Sequence, residues 1–373
     1  MKKILLSAAI AGLLFSCSDR TQDNITALTD EIKTEAMNIK GETVCTFPDT
    51  AFVNAAWMAN DRYAFCRTVT GPTGLSAQAY AVQVRDTRTL EQIAGYIHAG
   101  NGPFEVISPT VHTIGDTLYV MDFSKGNMFL IPMDDTHDYS GTIKHSYKFR
   151  TMRAATYKGR MLALNPYWFD DKKSAGAAAC EEPKLFFSDG DTWPYNQDNI
   201  FTGNCFQGHL LTNQKEGTIV YVENSYPLVE FYNDTLGLVK SITGPDDIRP
   251  EYFDDGSYMF FAKSYGTVYG PVCCDDSYIY LRYDDNLSTE PLINGKMVDG
   301  IPTMSFSSKK KGADETKGLL ILVLDWKGKI KGSYRLEGLN DCTAISTTEP
   351  GILYASTMDE ETEQLSVIRY RLF

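Results

Sequence analysis

The chain has 373 residues, 43% of them hydrophobic, including 22 Tyr and 19 Phe, which suits a large packed core and excludes a mostly disordered chain. Its 35 basic and 48 acidic residues leave a formal net charge of −13. That balance argues against nucleic acid as a partner, since such binding is dominated by Lys and Arg neutralising phosphates.

Residues 1–16 read as an export signal. Lys2 and Lys3 make a basic start, and the apolar run ILLSAAIAGLLF that follows is too short to span a membrane comfortably. The run ends in LFSC, Leu14 to Cys17, with the pattern of a lipoprotein cleavage box: the small Ser16 precedes the cut and the Cys17 thiol is the acylation site. An acylated Cys17 makes the membrane a partner through a lipid anchor, and stable anchoring takes more than one acyl chain. Residues 17–40 are expected to form a tether. SDRTQDNIT from Ser18 is polar, and ITALTDEIKTEAMNIK from Ile25 is either a short helix or more tether.

From residue 41 onward the chain repeats. Six times a polar turn ending in Asp or Gly is followed by a run of β-formers: NDRYAFC from Asn60, GDTLYVM from Gly115, KGRMLAL from Lys158, EGTIVYV from Glu216, DDSYIYL from Asp275 and PGILYAS from Pro350. Each is followed by a second apolar run: AYAVQV from Ala79, MFLIPM from Met128, KLFFS from Lys184, LVEFY from Leu228, LLILVL from Leu319 and LSVIRYRL from Leu365. Third runs follow at EQIAGYI from Glu91, TIKHSYKF from Thr142, DNIFT from Asp198, LVKSIT from Leu238 and KIKGSYRL from Lys329. Such an array has one small sheet per repeat. The missing sixth third run is supplied by ETVCTF from Glu42, because a strand from one terminus completing the sheet begun at the other removes an exposed edge. An innermost strand before each opening, such as FVNAAWM from Phe52 or PTVHTI from Pro109, brings each sheet to four strands. The expected fold is all-β: a six-bladed β-propeller over residues 41–373, with an N-terminal strand closing the last blade.

The cleavage box, the six openings and the phrase AGNGPFEV, Ala99 to Val106, together resemble the TolB-like six-bladed propeller lipoproteins of Bacteroides and relatives. In that family a G-x-GP-x-E segment, matched here by Gly100, Gly102, Pro103 and Glu105, follows the outer strand of the first blade. TGPDDIRPEYF from Thr243 is similar to a second, degenerate copy. Gly supplies an unusual backbone angle and Pro fixes the exit of a crossover, so a structural role is expected for the segment. The resemblance implies a cell-envelope location, as an outer-membrane lipoprotein facing the periplasm or the outside. It implies no reaction.

Functional expectations come from the loops. The links between second and third strands, and between blades, are long, and in a propeller both classes emerge on one face, where function sits on a rigid scaffold. NPYWFDDKK from Asn165 puts Tyr167, Trp168 and Phe169 in such a link, either as an aromatic platform for a glycan or peptide or as rings packed beneath the loop. The longest link, Tyr283 to Lys317, contains SSKKKGADETK, read as a solvated hairpin tip. FSDGDTW, Phe187 to Trp193, resembles an Asp-box one residue short, which is a folding turn and assigns no enzyme.

Acidic pairs begin at Asp170, Asp246, Asp254, Asp275 and Asp284. None has the alternate-residue spacing of a calcium loop, so no cofactor is evident, and calcium at the channel mouth would need ligands from several blades. Five histidines and the lack of a GxSxG motif give nucleophilic hydrolysis no support. Seven cysteines follow Cys17 with no CxxC. They are expected mostly as small buried residues on strands, and Cys180 with Cys205 is the one pair considered as a disulfide. The sequence points to a binding or interaction module for a glycan, peptide or protein ligand at the long-loop face and channel mouth. The alternative is a metal-assisted hydrolase or lactonase with its site in the central channel.

Overall fold

The computed structural model describes residues 24–68, 80–107, 109–122, 125–135, 141–146, 153–164, 185–188, 208–254, 259–307 and 317–373. Among these residues there is one short α-helix, Glu31–Thr34, and a 3-10 turn, Asp49–Ala51; the strands are gathered into seven sheets. In chain order the first sheet holds Val53–Met58, Tyr63–Thr68, Tyr80–Asp86 and Gln92–Ala99, with Glu105–Val106 added in parallel. The second holds Pro109–Ile114, Thr117–Asp122, Asn127–Pro132 and Ile143–Ser146. The third holds Ala154–Tyr157, Arg160–Leu164 and Leu185–Ser188; the outer run expected from Asp198 lies outside the described residues.

The fourth sheet is His209–Asn213, Thr218–Val222, Leu228–Tyr232 and Leu238–Thr243, and the fifth is Tyr269–Cys274, Tyr278–Tyr283, Leu319–Asp325 and Ile330–Leu336. In the sixth, Ala344–Glu349, Ile352–Met358 and Leu365–Arg371 are joined by Glu42–Phe47, which pairs antiparallel with Leu365–Arg371. Phe47 stands opposite Leu365, and the Thr46 and Ser366 hydroxyls meet at 2.9 Å.

The polar turns that open each repeat have a physical role. The Asn60 side-chain oxygen accepts the amides of Arg62 (2.8 Å) and Tyr63 (2.9 Å). Asn213 does the same for Lys215 and Glu216, and Asp275 for Ser277 and Tyr278. These are Asx turns, in which a short polar side chain replaces the missing backbone partner and sets the return angle. The strands after them are buried on both faces: every residue of Leu228–Tyr232 is buried, as are all but the last of Asn127–Pro132 and of Leu319–Asp325. Strands sandwiched between sheets read as unbroken apolar runs, whereas the outer strand Glu42–Phe47 is buried only at Cys45 and Phe47.

Consecutive sheets share their cores. One cluster joins the first and second sheets through Phe65, Val84, Val120 and Phe129. A second runs through sheets two to five, with Tyr119, Leu162, Val220 and Leu281. A third joins five and six through Tyr280 and Leu353, and the last joins six back to one through Phe47, Val53 and Leu365. The Ser346 hydroxyl accepts the Met58 amide at 2.9 Å across that final contact. The architecture is of the β-propeller class.

Two expectations need correction. The stretch after Asn24, expected as tether, is laid against the sheets: Ile25–Ala27 adds in parallel to Leu238–Thr243, and Met37–Ile39 in parallel to Ile330–Leu336. The reason is that both outer strands offer an unpaired edge, and Leu28 finds a buried seat with its amide on the Thr243 carbonyl at 2.7 Å. The long link after Tyr283 holds strands that were not expected, while its basic residues 308–316, read as a solvated hairpin tip, lie outside the described residues. It carries Ile293–Val298 and Ile301–Phe306, which join Glu251–Asp254 and Met259–Ser264 in a seventh, accessory sheet. The hairpin turns at Asp299–Gly300, both at positive φ (53° and 77°), as a two-residue turn between twisted strands requires.

Five cysteines, Cys45, Cys66, Cys273, Cys274 and Cys342, are free and buried, and burial pushes the Cys45, Cys274 and Cys342 thiols up to about 12. They act as small apolar side chains. Cys180 and Cys205 lie outside the described residues.

Candidate functional site

The first strands of the sheets meet one another. Val53–Met58 contacts Ala344–Glu349, which contacts Tyr269–Cys274, which contacts His209–Asn213, which contacts Ala154–Tyr157; Tyr269–Cys274 also reaches Pro109–Ile114 directly. Polar side chains on four of these strands are drawn together. His112 is only 8% exposed, stacks on Tyr119 at 5.2 Å between ring centres, and has no hydrogen-bond partner on either ring nitrogen. Arg153, just before Ala154, donates its Nε to the Gly208 carbonyl at 3.1 Å, one residue before His209. The His209 Nδ1 and the Tyr269 hydroxyl are likewise buried without a partner. Buried polar groups are nearly always paired, because each unpaired one costs about 1–3 kcal/mol. Several unpaired groups around one axis mark a place where the protein withholds its own partners.

The electrostatics of this cluster follow from burial. Desolvation, with the charge of Arg153 adding to it and the nearby Ala154 backbone opposing in part, pushes His112 down to about 3. Burial, then Arg153, then His112 hold His209 well below the usual histidine range, against the pull of the Gly270 backbone. Both imidazoles are therefore neutral at pH 7. Burial also lowers Arg153 to about 10, which leaves it cationic. The acids nearby are engaged: Glu223 accepts from the Tyr221 hydroxyl and from the Ser225 amide at 3.1 Å, and Asp246 from the Tyr283 hydroxyl and from Lys33 at 2.7 Å. Arg282, beside Gly270, pairs with Asp341 at 3.1 Å. Among the described residues no group of three or more His, Cys, Asp or Glu could hold a metal ion.

The Gly100, Gly102, Pro103 and Glu105 segment forms a crossover knot between the first and second sheets. The Glu105 carboxylate accepts the Gly102 amide, and a Cβ on Gly102 would sit 2.9 Å from that carboxyl group. The Lys125 ammonium donates to the carbonyls of Gly100 (2.9 Å), Gly102 (2.8 Å) and Glu105 (2.8 Å). Lys144 donates to the Pro103 carbonyl and lies 4.7 Å over the Phe104 ring. Asp122 completes the crossover by accepting the Ile107 amide at 2.7 Å. A groove of 490 Å³ runs beside this knot along Tyr80, His98 and Phe104. The second Gly-Pro copy, at Gly244, borders a larger groove of 640 Å³ beneath the Ile25–Ala27 strand.

Of the residues singled out in the sequence, Cys17, Tyr167, Trp168 and Phe169 lie outside the described residues, and the crossover segment is placed as above. The axial residues were missed. No common register marks them: Arg153, His209 and Tyr269 stand 6, 8 and 7 residues before the turn residues Gly159, Gly217 and Asp276.

Fold and site together define a β-propeller whose axis carries a cationic, partly unpaired polar cluster. No family model matches the chain, and no curated protein matches it in sequence. Among solved structures it is similar to a member of the DUF4221 family from Bacteroides vulgatus (9% identity, TM-score 0.48, covering 89% of this chain and 98% of that one). It is similar also to a protein of Bacteroides fragilis named as a supposed exported protein (10%, 0.44, 90% and 93%) and to the β-propeller domain of Cps50 (Swd1) from Myceliophteria thermophila (10%, 0.37, 85% and 96%). At such identities and scores no function carries over.

Proposed function

We propose that this chain is an exported, lipid-anchored, six-bladed β-propeller, sealed by the pairing of its two ends, that serves as a binding module at its long-loop face. The observation that carries the binding reading is the axial meeting of His112, Arg153, His209 and Tyr269, three of which keep buried polar atoms without protein partners. A scaffold that spends stability on unpaired donors at one point is organised around a ligand there. Six sheets with shared cores running from the first to the sixth and back to the first support the ring. The lipid anchor at Cys17 and the envelope location, on the periplasmic or the outer side, rest on the sequence. Among the described residues no helix is long and apolar enough to cross a membrane. On the sequence reading, the link with Tyr167, Trp168 and Phe169, which lies outside the described residues, supplies aromatic contact for a glycan or peptide.

The test is a screen of envelope glycans and peptides, with and without calcium, against the purified protein and its His112→Phe and Trp168→Ala variants. Binding that depends on either residue supports the reading, and ligands bound equally by all three sink it. Loss of labelled fatty acid in Cys17→Ala checks the anchor separately.

The metal-assisted hydrolase gains no observation of its own. It needs three or more converging ligands, and a guanidinium beside two imidazoles repels a cation.

A further inference from the structure

We propose that the groove beside the Gly102–Glu105 crossover is a saccharide site, which takes a neutral pyranose ring against Phe104 and holds its hydroxyls through Glu105, His98 and Tyr80. This goes beyond the axial reading above. The groove lies along the outer strand Gln92–Ala99 and the crossover that leaves it, toward the opposite edge of the first sheet from Val53–Met58.

The cavity comes first. Its 490 Å³ falls within the range of small-molecule sites. Gly95 lines it and lets the Tyr80 ring lie on the neighbouring strand, since a Cβ there would fall 2.2 to 2.5 Å from three atoms of that ring. The Tyr80 ring packs on His98 with 4.2 Å between ring centres. Ile97, just before His98 and also in the lining, has φ 56°, a left-handed conformation that a β-branched residue adopts only under constraint. Phe104, on the crossover, is 61% exposed.

Charge comes second and narrows the ligand. The Lys144 ammonium lies 4.7 Å over the Phe104 ring, and the Glu105 carboxylate lines the groove. A ligand cation is opposed by Lys144 and a ligand anion by Glu105. A neutral ligand is opposed by neither.

The hydrogen-bonding inventory comes third. Glu105 gives Oε2 to the Gly102 amide, and its Oε1 has no protein partner among the described residues. The Tyr80 hydroxyl and the ring nitrogens of His98 have none there either. The groove thus offers an acceptor in the carboxylate, and both donor and acceptor in the hydroxyl and the imidazole. A sugar hydroxyl also donates and accepts, so it matches all three, while the carbon skeleton of the ring packs on Phe104. A proline-rich peptide, which also suits aromatic grooves, presents carbonyl acceptors and leaves the carboxylate without a donor.

The experiment titrates the purified protein by calorimetry with maltose, cellobiose and diacetylchitobiose, and separately with hexaproline. The expected result is saturable binding of at least one disaccharide and none of hexaproline. Phe104→Ala removes a mostly exposed side chain, so the fold is retained, and it should weaken the disaccharide about tenfold or more, as for an aromatic anchor. Glu105→Gln keeps a carbonyl oxygen for the Gly102 amide and replaces the second acceptor by a donor. It should weaken binding by a similar factor, as for loss of a charged hydrogen bond. His112→Phe, at the axis, should bind the disaccharide as wild type does. Equal disaccharide binding in wild type, Phe104→Ala and Glu105→Gln overturns the proposal; if His112→Phe then loses the sugar, the ligand sits at the axis and only the axial reading stands. Absence of disaccharide binding overturns the proposal too, and hexaproline binding that is lost in Phe104→Ala would assign the groove to a peptide instead.

Discussion

Arg153 donates its Nε to the carbonyl of Gly208 at 3.1 Å, which ties the start of one inner strand to the residue before His209 on the next. Gly208 is needed there: any Cβ would fall on the Tyr221 ring. The bond fixes the guanidinium relative to both histidines, and the same closeness keeps those histidines neutral. Position and protonation state have one cause.

The first prediction concerns acid. His112 is held at about 3 in the folded protein against roughly 6.5 unfolded, so between those values the unfolded chain binds more protons. Stability then rises with pH through that window and is lost as pH falls below about 6.5. His209 is shifted the same way. Comparing urea unfolding at pH 7 and 4.5, His112→Phe should lose about 2–3 kcal/mol less than wild type, at 1.36 kcal/mol per unit. Equal losses would show that His112 is protonated freely in the native state.

The second prediction concerns the crossover. Three backbone carbonyls converge on Lys125, and hydrogen bonds to a charged group contribute more than neutral ones. Lys125→Met should cost about 2–4 kcal/mol, with increased hydrogen exchange at the Gly100 amide, which donates to the Val106 carbonyl at 2.9 Å. A loss under about 0.5 kcal/mol would mean that the turn is held without the ammonium.

The strands were legible because each repeat combines a polar turn, an Asx turn at Asn60, Asn213 and Asp275, with apolar runs of period two or unbroken burial, signals written locally in NDRYAFC or LVEFY. The accessory sheet was not, because its strands are short and half polar, as in INGKMV, although the Asp299–Gly300 pair is a hairpin signal. Docking of the Ile25–Ala27 segment was illegible for another reason. All three of its residues are exposed, so pairing with a distant edge, and no apolar pattern of its own, decides its conformation. The axial site was hidden because each histidine is ordinary in its own strand; only the inner-strand contacts make them neighbours.

The third prediction concerns the joined ends. Phe47 is fully buried opposite Leu365, in the cluster linking the sixth sheet to the first. Phe47→Ala should cost about 3–5 kcal/mol by transfer and cavity terms together. The check is whether the unfolding midpoint falls as one transition. A separate early transition confined to the C-terminal strand would show that the ends pair without supporting the rest.

The last prediction concerns the segment lying on the fourth and fifth sheets. Its two three-residue strands add in parallel to neighbouring sheets, and between them Lys33 bonds to Asp246 at 2.7 Å and to Asp30 at 3.1 Å. Its carbonyl faces Arg335 at 3.5 Å. Strands this short have little apolar cover, so the partly buried Lys33 pair carries a large share of the docking. Lys33→Ala should therefore cost about 1–2 kcal/mol, and the loss should be local. Hydrogen exchange should quicken at the Leu28 amide, which bonds to the Thr243 carbonyl, while the amides of Leu228–Tyr232 stay protected. Asp246 keeps its bond from Tyr283, so the strand Tyr278–Tyr283 should be undisturbed. Quickened exchange in both places would mean that this segment is an integral part of the sheets rather than a strap laid over them.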